Sequence, residues 1–268
     1  MNRYRIAPGT SVDLRTIDPR DKSAFSDLSK SKALPVLETM RRELSALQRV
    51  LWADAQQSLL VVIQAMDTGG KDGTIRKVLS GVNPQGVDVV GFGVPSEEEL
   101  RHDYLWRVHR HAPAHGRIGV FNRSHYEDVL VVAVNNLVPE EQWSKRYGHI
   151  RDFERLLVDE GTTIVKIMLH ISKDEQRDRL QARLADPSKN YKFNPGDLKV
   201  REQWDAYMDA YGTAITETST ETSPWFVVPA DRKWYLNLVV AVILIEALTG
   251  LGLEYPVNEQ NLDGFIVT

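Results

Sequence analysis

The sequence predicts an α/β fold, a three-layer sandwich in which a five-stranded, mainly parallel sheet lies between helices. Three observations carry that prediction. Apolar runs of strand character alternate with stretches of helical spacing along most of the chain, and such alternation builds a parallel sheet covered on both faces. The first of these runs ends in a glycine-rich turn that opens a helix. The chain has 268 residues, 42 % hydrophobic and 26 % charged, which suits one large domain with an ordinary core. The whole of 1–268 reads as a single domain, with an N-terminal extension over 1–32 and an insertion over about 177–205.

From the N-terminus, Met1 to Ser31 is polar and is expected to wrap the surface without a core of its own. The spacing of Leu37, Met40, Leu44, Leu47 and Leu51 predicts a helix from Leu34 to Ala55. The first strand begins at Leu59. After the glycine turn, Ile75, Val78 and Leu79 form one face of a helix that Gly81 stops. Gly86 to Val90 reads as the second strand. Ser96 and Glu99 form a capping box for a helix carrying Leu100, Tyr104, Leu105 and Val108. Ile118 to Phe121 is the third strand. Pro139 to Asp159 is amphipathic, with a kink expected near Gly148, and Thr162 to Ile171 is a strong buried strand. Ser172 and Glu175 cap the next helix, which carries Arg179 and Arg183 on one face. Asp197 is expected to cap a helix containing Trp204, Tyr207 and Tyr211. Trp225 to Val228 is the last strand, and Asp231 to Leu248 the closing helix.

The stretch from Leu59 to Thr74, LLVVIQAMDTGGKDGT, organises the rest. A buried strand, a tight glycine turn and a helix start make a phosphate site. Glycines let backbone N–H groups point at an anion, and the helix N-terminus adds partial positive charge. Lys71 supplies a full charge for a transferring phosphate. Against the pattern G-x-x-x-x-G-K-[ST], Ala65 replaces the first glycine and Asp72 the hydroxyl residue. Asp67 inside the loop would repel phosphate unless a metal lay between them, so it reads as a Mg²⁺ ligand. Together with the strand–helix order, this loop points to a P-loop kinase architecture with a helical lid.

Two further polar clusters fit such a site. Asn122 to Asp128, NRSHYED, follows the third strand, where open α/β sheets bind ligands. Arg123 is placed to clamp a phosphoryl oxygen, and Glu127 and Asp128 to bind Mg²⁺. The stretch Asp186 to Asp197 breaks a helix with proline and glycine and sets Lys189 and Lys192 beside aromatics, as a mobile lid over an anion would. Among His102, His109, His111 and His115, His109 and His111 do not share a helix face, and no carboxylate stands beside them at ligand spacing.

The net charge of −4 gives no global argument for nucleic-acid binding. With no cysteine, disulfides and thiolate metal sites are excluded, which fits a reducing compartment. The most apolar segment, Leu238 to Ile245, is too short to span a bilayer. The expectation is a soluble cytoplasmic protein with no membrane or nucleic-acid partner.

Asp67 to Gly73, Phe121 to Asp128 and the lid stretch Tyr191 to Leu198 together resemble polyphosphate kinase family 2. His102 to Arg107 and Pro224-Trp225 share the resemblance, which runs from Tyr4 to the closing helix. It implies reversible transfer of the terminal phosphoryl group of inorganic polyphosphate to AMP or ADP, giving ADP or ATP, with Mg²⁺ or, as the alternative ion, Mn²⁺. It implies catalytic roles for Asp67, Lys71, Arg123 and Arg183. Gly69, Gly70, Lys71, Asp72, Gly73, Thr74, Arg179, Lys189 and Lys192 are expected on phosphate. Asp103, Arg107, Asn122 and Glu127 are expected at the nucleotide, and Asp67 with Asp128 at the metal. Asn122 stands where many members carry Asp, which resembles the branch accepting both AMP and ADP. The resemblance also implies a homodimer or homotetramer. An ATP-dependent nucleotide kinase and a non-catalytic polyanion-binding protein are the competing readings of the same residues.

Overall fold

The computed structural model describes residues 1–258. In chain order the elements are β1 (Arg5–Ile6), α1 (Lys30–Asp54), β2 (Ser58–Ala65), α2 (Lys71–Val78), β3 (Val87–Gly91), α3 (Trp106–His109), β4 (Ile118–Asn122), α4 (Glu127–Val134), α5 (Glu140–Trp143), α6 (Arg146–Asp159), β5 (Thr162–His170), α7 (Lys173–Ala185), α8 (Gly196–Glu202), α9 (Trp204–Thr218), β6 (Trp225–Pro229) and α10 (Lys233–Thr249). The sheet has six strands in the order β1-β6-β5-β2-β4-β3. Every pairing is parallel except β1 with β6.

The sheet has one strand more than the five expected, and the extra strand comes from the N-terminal segment. That segment does join the core: Tyr4 and Leu14 are buried, and the Tyr4 hydroxyl donates to Asp21 at 2.6 Å and meets the Tyr235 hydroxyl. A two-residue strand leaves no period to read, which is why sequence spacing missed it.

β2 is buried at every position and lies between β5 and β4. The chain crosses from β4 on one side of β2 to β5 on the other. A crevice therefore opens at the C-terminal end of β2, where ligands of open α/β sheets bind. Helices α1, α2 and α10 pack together on one face of the sheet, and α4, α6 and α9 on the other. Helix α10 is apolar nearly all round because it is a core helix. Among the described residues no helix is long and apolar enough to cross a membrane.

Three helical expectations need correction. The Ser96–Glu99 capping box forms, with Ser96 N–H donating to Glu99 at 2.7 Å, but only a short 3-10 turn follows. Asp103 then accepts the N–H groups of Leu105 and Trp106 and starts a new turn, leaving only α3 as helix. The 139–159 region breaks between Trp143 and Arg146, and Gly148 lies inside α6. The helix expected from Asp197 through Tyr211 is split into α8 and α9, and Asp197 lies within α8 instead of capping it, its carboxylate accepting from Arg183 at 3.3 Å.

Candidate active site

The loop between β2 and α2 has a backbone that few sequences tolerate. A Cβ on Gly69 would stand 2.5 Å from the Ala65 Cβ and 2.8 Å from the Met66 carbonyl oxygen. Gly70, which precedes α2, has φ +107° and so needs the freedom of glycine. Thr68 has φ +62°, and Arg123, just past β4, has φ +63°. Left-handed backbone at two non-glycine residues on adjacent strand ends is a costly arrangement, and such outliers gather at functional sites.

A cavity of about 1120 Å³ opens at these strand ends. The glycine loop forms its floor, Asn122 and Arg123 one wall, and α7 with the segment after it another. Of the expected site residues, Asp67, Gly69, Gly70, Lys71, Asp72, Gly73, Thr74, Asn122, Arg123, Arg179, Arg183, Lys189 and Lys192 line it.

The charges are tightly arranged. Arg123 Nη2 donates to Asp67 Oδ1 at 2.8 Å. Lys71 Nζ folds back onto the Ala65 carbonyl at 2.8 Å. Burial pushes the Lys71 ammonium below its ordinary pKa, neighbouring Arg123 adds to this, and Asp67, Glu127 and Asp72 oppose it. Burial likewise pushes the Glu127 carboxyl up, against the pull of Arg123 and Lys71. Glu127 does not line the cavity, yet it acts on the same cations. Asp197 is raised by burial and then by Asp67, and so belongs to the same field. Sequence reading missed this role of Asp197, as well as Tyr207 and Tyr211. Those two hydroxyls are raised by burial, with Glu127 and Asp67 contributing.

Several cations around the cavity already have partners. Arg183 Nη1 donates to the Lys192 carbonyl at 2.8 Å and to Asp197 at 3.3 Å. Lys192 Nζ lies 3.8 Å from Asp72, whose other oxygen accepts from Asn122 at 2.7 Å. Lys189 pairs with Asp186. Arg179 differs from its neighbour Arg183: each of its N–H groups ends on an acceptor of the protein, so none is left for the phosphate contact expected of it.

Three other expected residues stand apart from the cavity. Asp103 is engaged in starting α3. Arg107 is buried, donates to the Gly93 carbonyl at 3.0 Å and lies 5.6 Å from the Phe92 ring centre, so it braces the rim from behind. Asp128 accepts from Arg146 at 3.2 Å and is not a lining residue, so the fold does not assemble it with Asp67 as a metal pair. Among the described residues no three His, Cys, Asp or Glu side chains stand close enough to hold a metal by themselves.

The middle of NRSHYED is support, not site. Ser124, His125 and Tyr126 are fully buried. Ser124 accepts from Gln64 of β2 at 3.2 Å, and Tyr126 donates to Glu154 at 2.8 Å. Glu154 in turn meets the buried Lys166 ammonium of β5 at 2.5 Å. This network lies directly after Arg123 in the chain and pins the turn that carries it. Lys166, inside an apolar strand, gave no sequence signal beyond its anomaly. Lys233 and Asn237 of α10 also line the cavity, and only the cationic start of the helix hinted at them.

A family model described as polyphosphate kinase 2 (PPK2) matches residues 27–254. The chain is 55 % identical over 267 residues to the AMP/ADP-polyphosphate phosphotransferase of Meiothermus ruber, covering 100 % of both chains. It is 46 % identical over 266 residues to the ADP-polyphosphate phosphotransferase of Rhodopseudomonas palustris, covering 95 % of this chain and 91 % of the relative. Among solved structures, polyphosphate kinase 2 from Arthrobacter aurescens TC1 superposes with a TM-score of 0.93 at 43 % identity, covering 97 % of this chain and 92 % of that one.

Proposed function

The chain belongs to the polyphosphate kinase 2 family, and we propose that it transfers the terminal phosphoryl group of inorganic polyphosphate to AMP and to ADP, reversibly, giving ADP and ATP. The observation that carries this reading is the convergence of Lys71, Arg123 and Arg183 on one cavity at the C-terminal end of β2, beside a glycine loop.

Phosphoryl transfer asks a protein for positioning and charge neutralisation. The bond from the terminal phosphorus to its bridging oxygen breaks, and a bond to an anionic phosphate oxygen of the nucleotide forms. No proton must be removed, so no general base is required, and the shortened polyphosphate leaves with its electron pair. The loop amides receive the donor chain, and Lys71 leaves the Ala65 carbonyl for a phosphoryl oxygen. Arg123, held by Asp67, faces the moving group. Arg183 and the lid lysines close from the opposite side and exclude water. We read 177–205 as that lid.

The residues fit a divalent cation of the Mg²⁺ type. Such ions are bound through one or two carboxylates, waters and substrate phosphates, without an all-protein cage. Asp67 lines the cavity and would hold the ion, with Asp72 nearby on the loop. Asp128, which does not line the cavity, would not. The bound ion would neutralise charge on the donor and acceptor phosphates. Mn²⁺ would serve the same ligands. The reading includes a cytoplasmic enzyme and a homodimer or homotetramer, supported by the absence of cysteine and by the family resemblance.

A donor exchange tests the function. Purified protein, Mg²⁺ and AMP or ADP are mixed with either polyphosphate or a second nucleoside triphosphate, and new phosphoanhydride is measured. Turnover only with polyphosphate is expected. Turnover only with the triphosphate would make the chain an ordinary nucleotide kinase.

A further inference from the structure

Helix α7 holds the glycine loop by its backbone. Arg179 Nη1 donates to the carbonyl oxygens of Thr68 and Gly69, each at 3.0 Å. One turn earlier, Gln176 Nε2 donates to the Asp67 carbonyl at 3.1 Å. Three consecutive loop carbonyls thus end on one helix. The other arm of Arg179 donates to Ala230 at 2.6 Å and Asp231 at 3.3 Å, just past β6, and its Nε donates to Glu175 at 2.7 Å. A guanidinium has five N–H groups, and all of them are engaged. Gln176 is 0 % exposed and Arg179 only 9 %.

The direction of those carbonyls matters. In a trans peptide the C=O and the N–H point opposite ways, and the described chain has no cis peptide. Fixing the Gly69 carbonyl on Arg179 therefore turns the Gly70 N–H away from Arg179, at the start of α2 where Gly70 lines the cavity. Fixing the Thr68 carbonyl likewise turns the Gly69 N–H away, and it closes the loop on Met66 at 2.9 Å. Thr68 is β-branched and left-handed, a conformation that persists only when its surroundings over-determine it. Arg179 supplies that constraint.

We infer that Arg179, with Gln176, is a positioning residue of the proposed transfer. It offers no N–H to the polyanion. It fixes the fold of the loop and the Gly69–Gly70 peptide plane that offers its N–H to a phosphate, and it ties them to the helix that also carries Arg183. The role in turnover rests on the reading of this loop as the phosphoryl-donor site.

Arg179→Lys, Arg179→Ala and Gln176→Leu test it by two readouts. Without substrate, amide exchange over residues 66–74 is expected to quicken about tenfold in all three, while β2 and β5 stay protected. With polyphosphate and ADP, kcat is expected to fall about 100-fold in both Arg179 variants, because lysine keeps the charge but cannot span the four backbone carbonyls. The KM for polyphosphate is expected to stay within about twofold of the parent's, and methylguanidinium is expected to restore part of kcat and of loop protection in Arg179→Ala. Parent kcat in Arg179→Lys with a raised polyphosphate KM in Arg179→Ala would make Arg179 a direct phosphate ligand and overturn the inference. Earlier melting with unchanged kcat and loop protection would reduce it to a structural residue and overturn it equally. If Arg179→Ala does not fold, Gln176→Leu carries the exchange test alone. The exchange readout needs no substrate, so a failed donor assay and a failed loop latch are told apart.

Discussion

Arg123 Nη2 and Asp67 Oδ1 meet at 2.8 Å across the ends of two adjacent strands, β4 and β2. Each comes from a segment that contains a left-handed residue, Arg123 itself and Thr68 after Asp67. The pair places an acid beside the cations of the site. Replacing Asp67 by Asn is therefore expected to raise the Mg²⁺ concentration for half-maximal rate about tenfold or more, since a principal ligand is lost. Asp128→Asn is expected to leave that midpoint unchanged and to act on the α4–α6 contact through Arg146. A Mg²⁺ titration of rate with both variants checks this; equal midpoints for Asp67→Asn and the parent would remove Asp67 from the metal.

Lys71→Ala is expected to cut kcat at least about 100-fold, the usual cost of one positioned charge in a transition state. The fold is expected to persist, because the hydrogen bond of the lysine side chain is to the carbonyl of Ala65, at the end of β2. Circular dichroism and turnover measured on one preparation give both halves of the answer. A variant with turnover within a fewfold of the parent would sink the loop assignment.

If 177–205 is a lid, its residues are expected to separate catalysis from capture. Arg183→Ala is expected to lower kcat about 100-fold. Lys189→Ala and Lys192→Ala are expected to raise the apparent KM for polyphosphate and to flatten its salt dependence. Amide exchange over 186–197 is expected to slow when polyphosphate and nucleotide are both present. Equal exchange in both states, with full activity in Arg183→Ala, would take the lid out of the mechanism.

Glu127 gives a pH test with a fixed sign. Its folded pKa is raised, chiefly by burial. A group of that kind contributes stability that is present below its unfolded pKa and lost as the pH rises through its folded pKa. Glu127→Gln is therefore expected to melt above the parent at pH 8 and to lose that advantage below pH ~4, where the parent carboxyl is also neutral. Activity is expected to fall, because Arg123 and Lys71 lose a counter-charge. A melting difference that grows as the pH falls would reverse the assignment.

Lys166→Met is expected to destabilise the fold by about 3–5 kcal/mol, because it strands the Glu154 carboxylate in the core. Replacing both partners, Lys166→Met with Glu154→Leu, is expected to recover most of that loss. Urea denaturation at neutral pH measures both. Equal losses in the single and double variants would show that the ion pair is not the source.

The parts of the site that phosphate chemistry dictates locally were legible in the sequence. Gly70, Lys71 and Arg123 sit at strand ends whose apolar runs announced them, and all of them line the cavity. What tertiary contact decides was not. Arg179 and Arg183 share a helix face by spacing, yet one ends on carbonyls of the glycine loop and the other on the Lys192 carbonyl and Asp197. Glu127 and Asp128 are adjacent, and one residue of helix turns a side chain by about 100°. That rotation sends one toward the Arg123 cluster and the other to Arg146. β1 escaped for a simpler reason: two residues pairing with a distant strand carry no local signature.

Four cations of the cavity have internal counterions: Arg123 has Asp67, Arg183 has Asp197, Lys192 has Asp72 and Lys189 has Asp186. Capture of a polyanion is thus an exchange in which the ligand displaces the protein's own carboxylates one contact at a time. An anion with a single phosphate can satisfy one cation while the other pairs stay closed, and it gains little over the carboxylate it evicts. A chain of phosphates replaces several pairs in one binding event, and after the first contact each further displacement takes place within the same complex. Built-in competition of this kind discriminates by the number of charges on one molecule, so a chain of phosphates gains from these four pairs what a single phosphate does not.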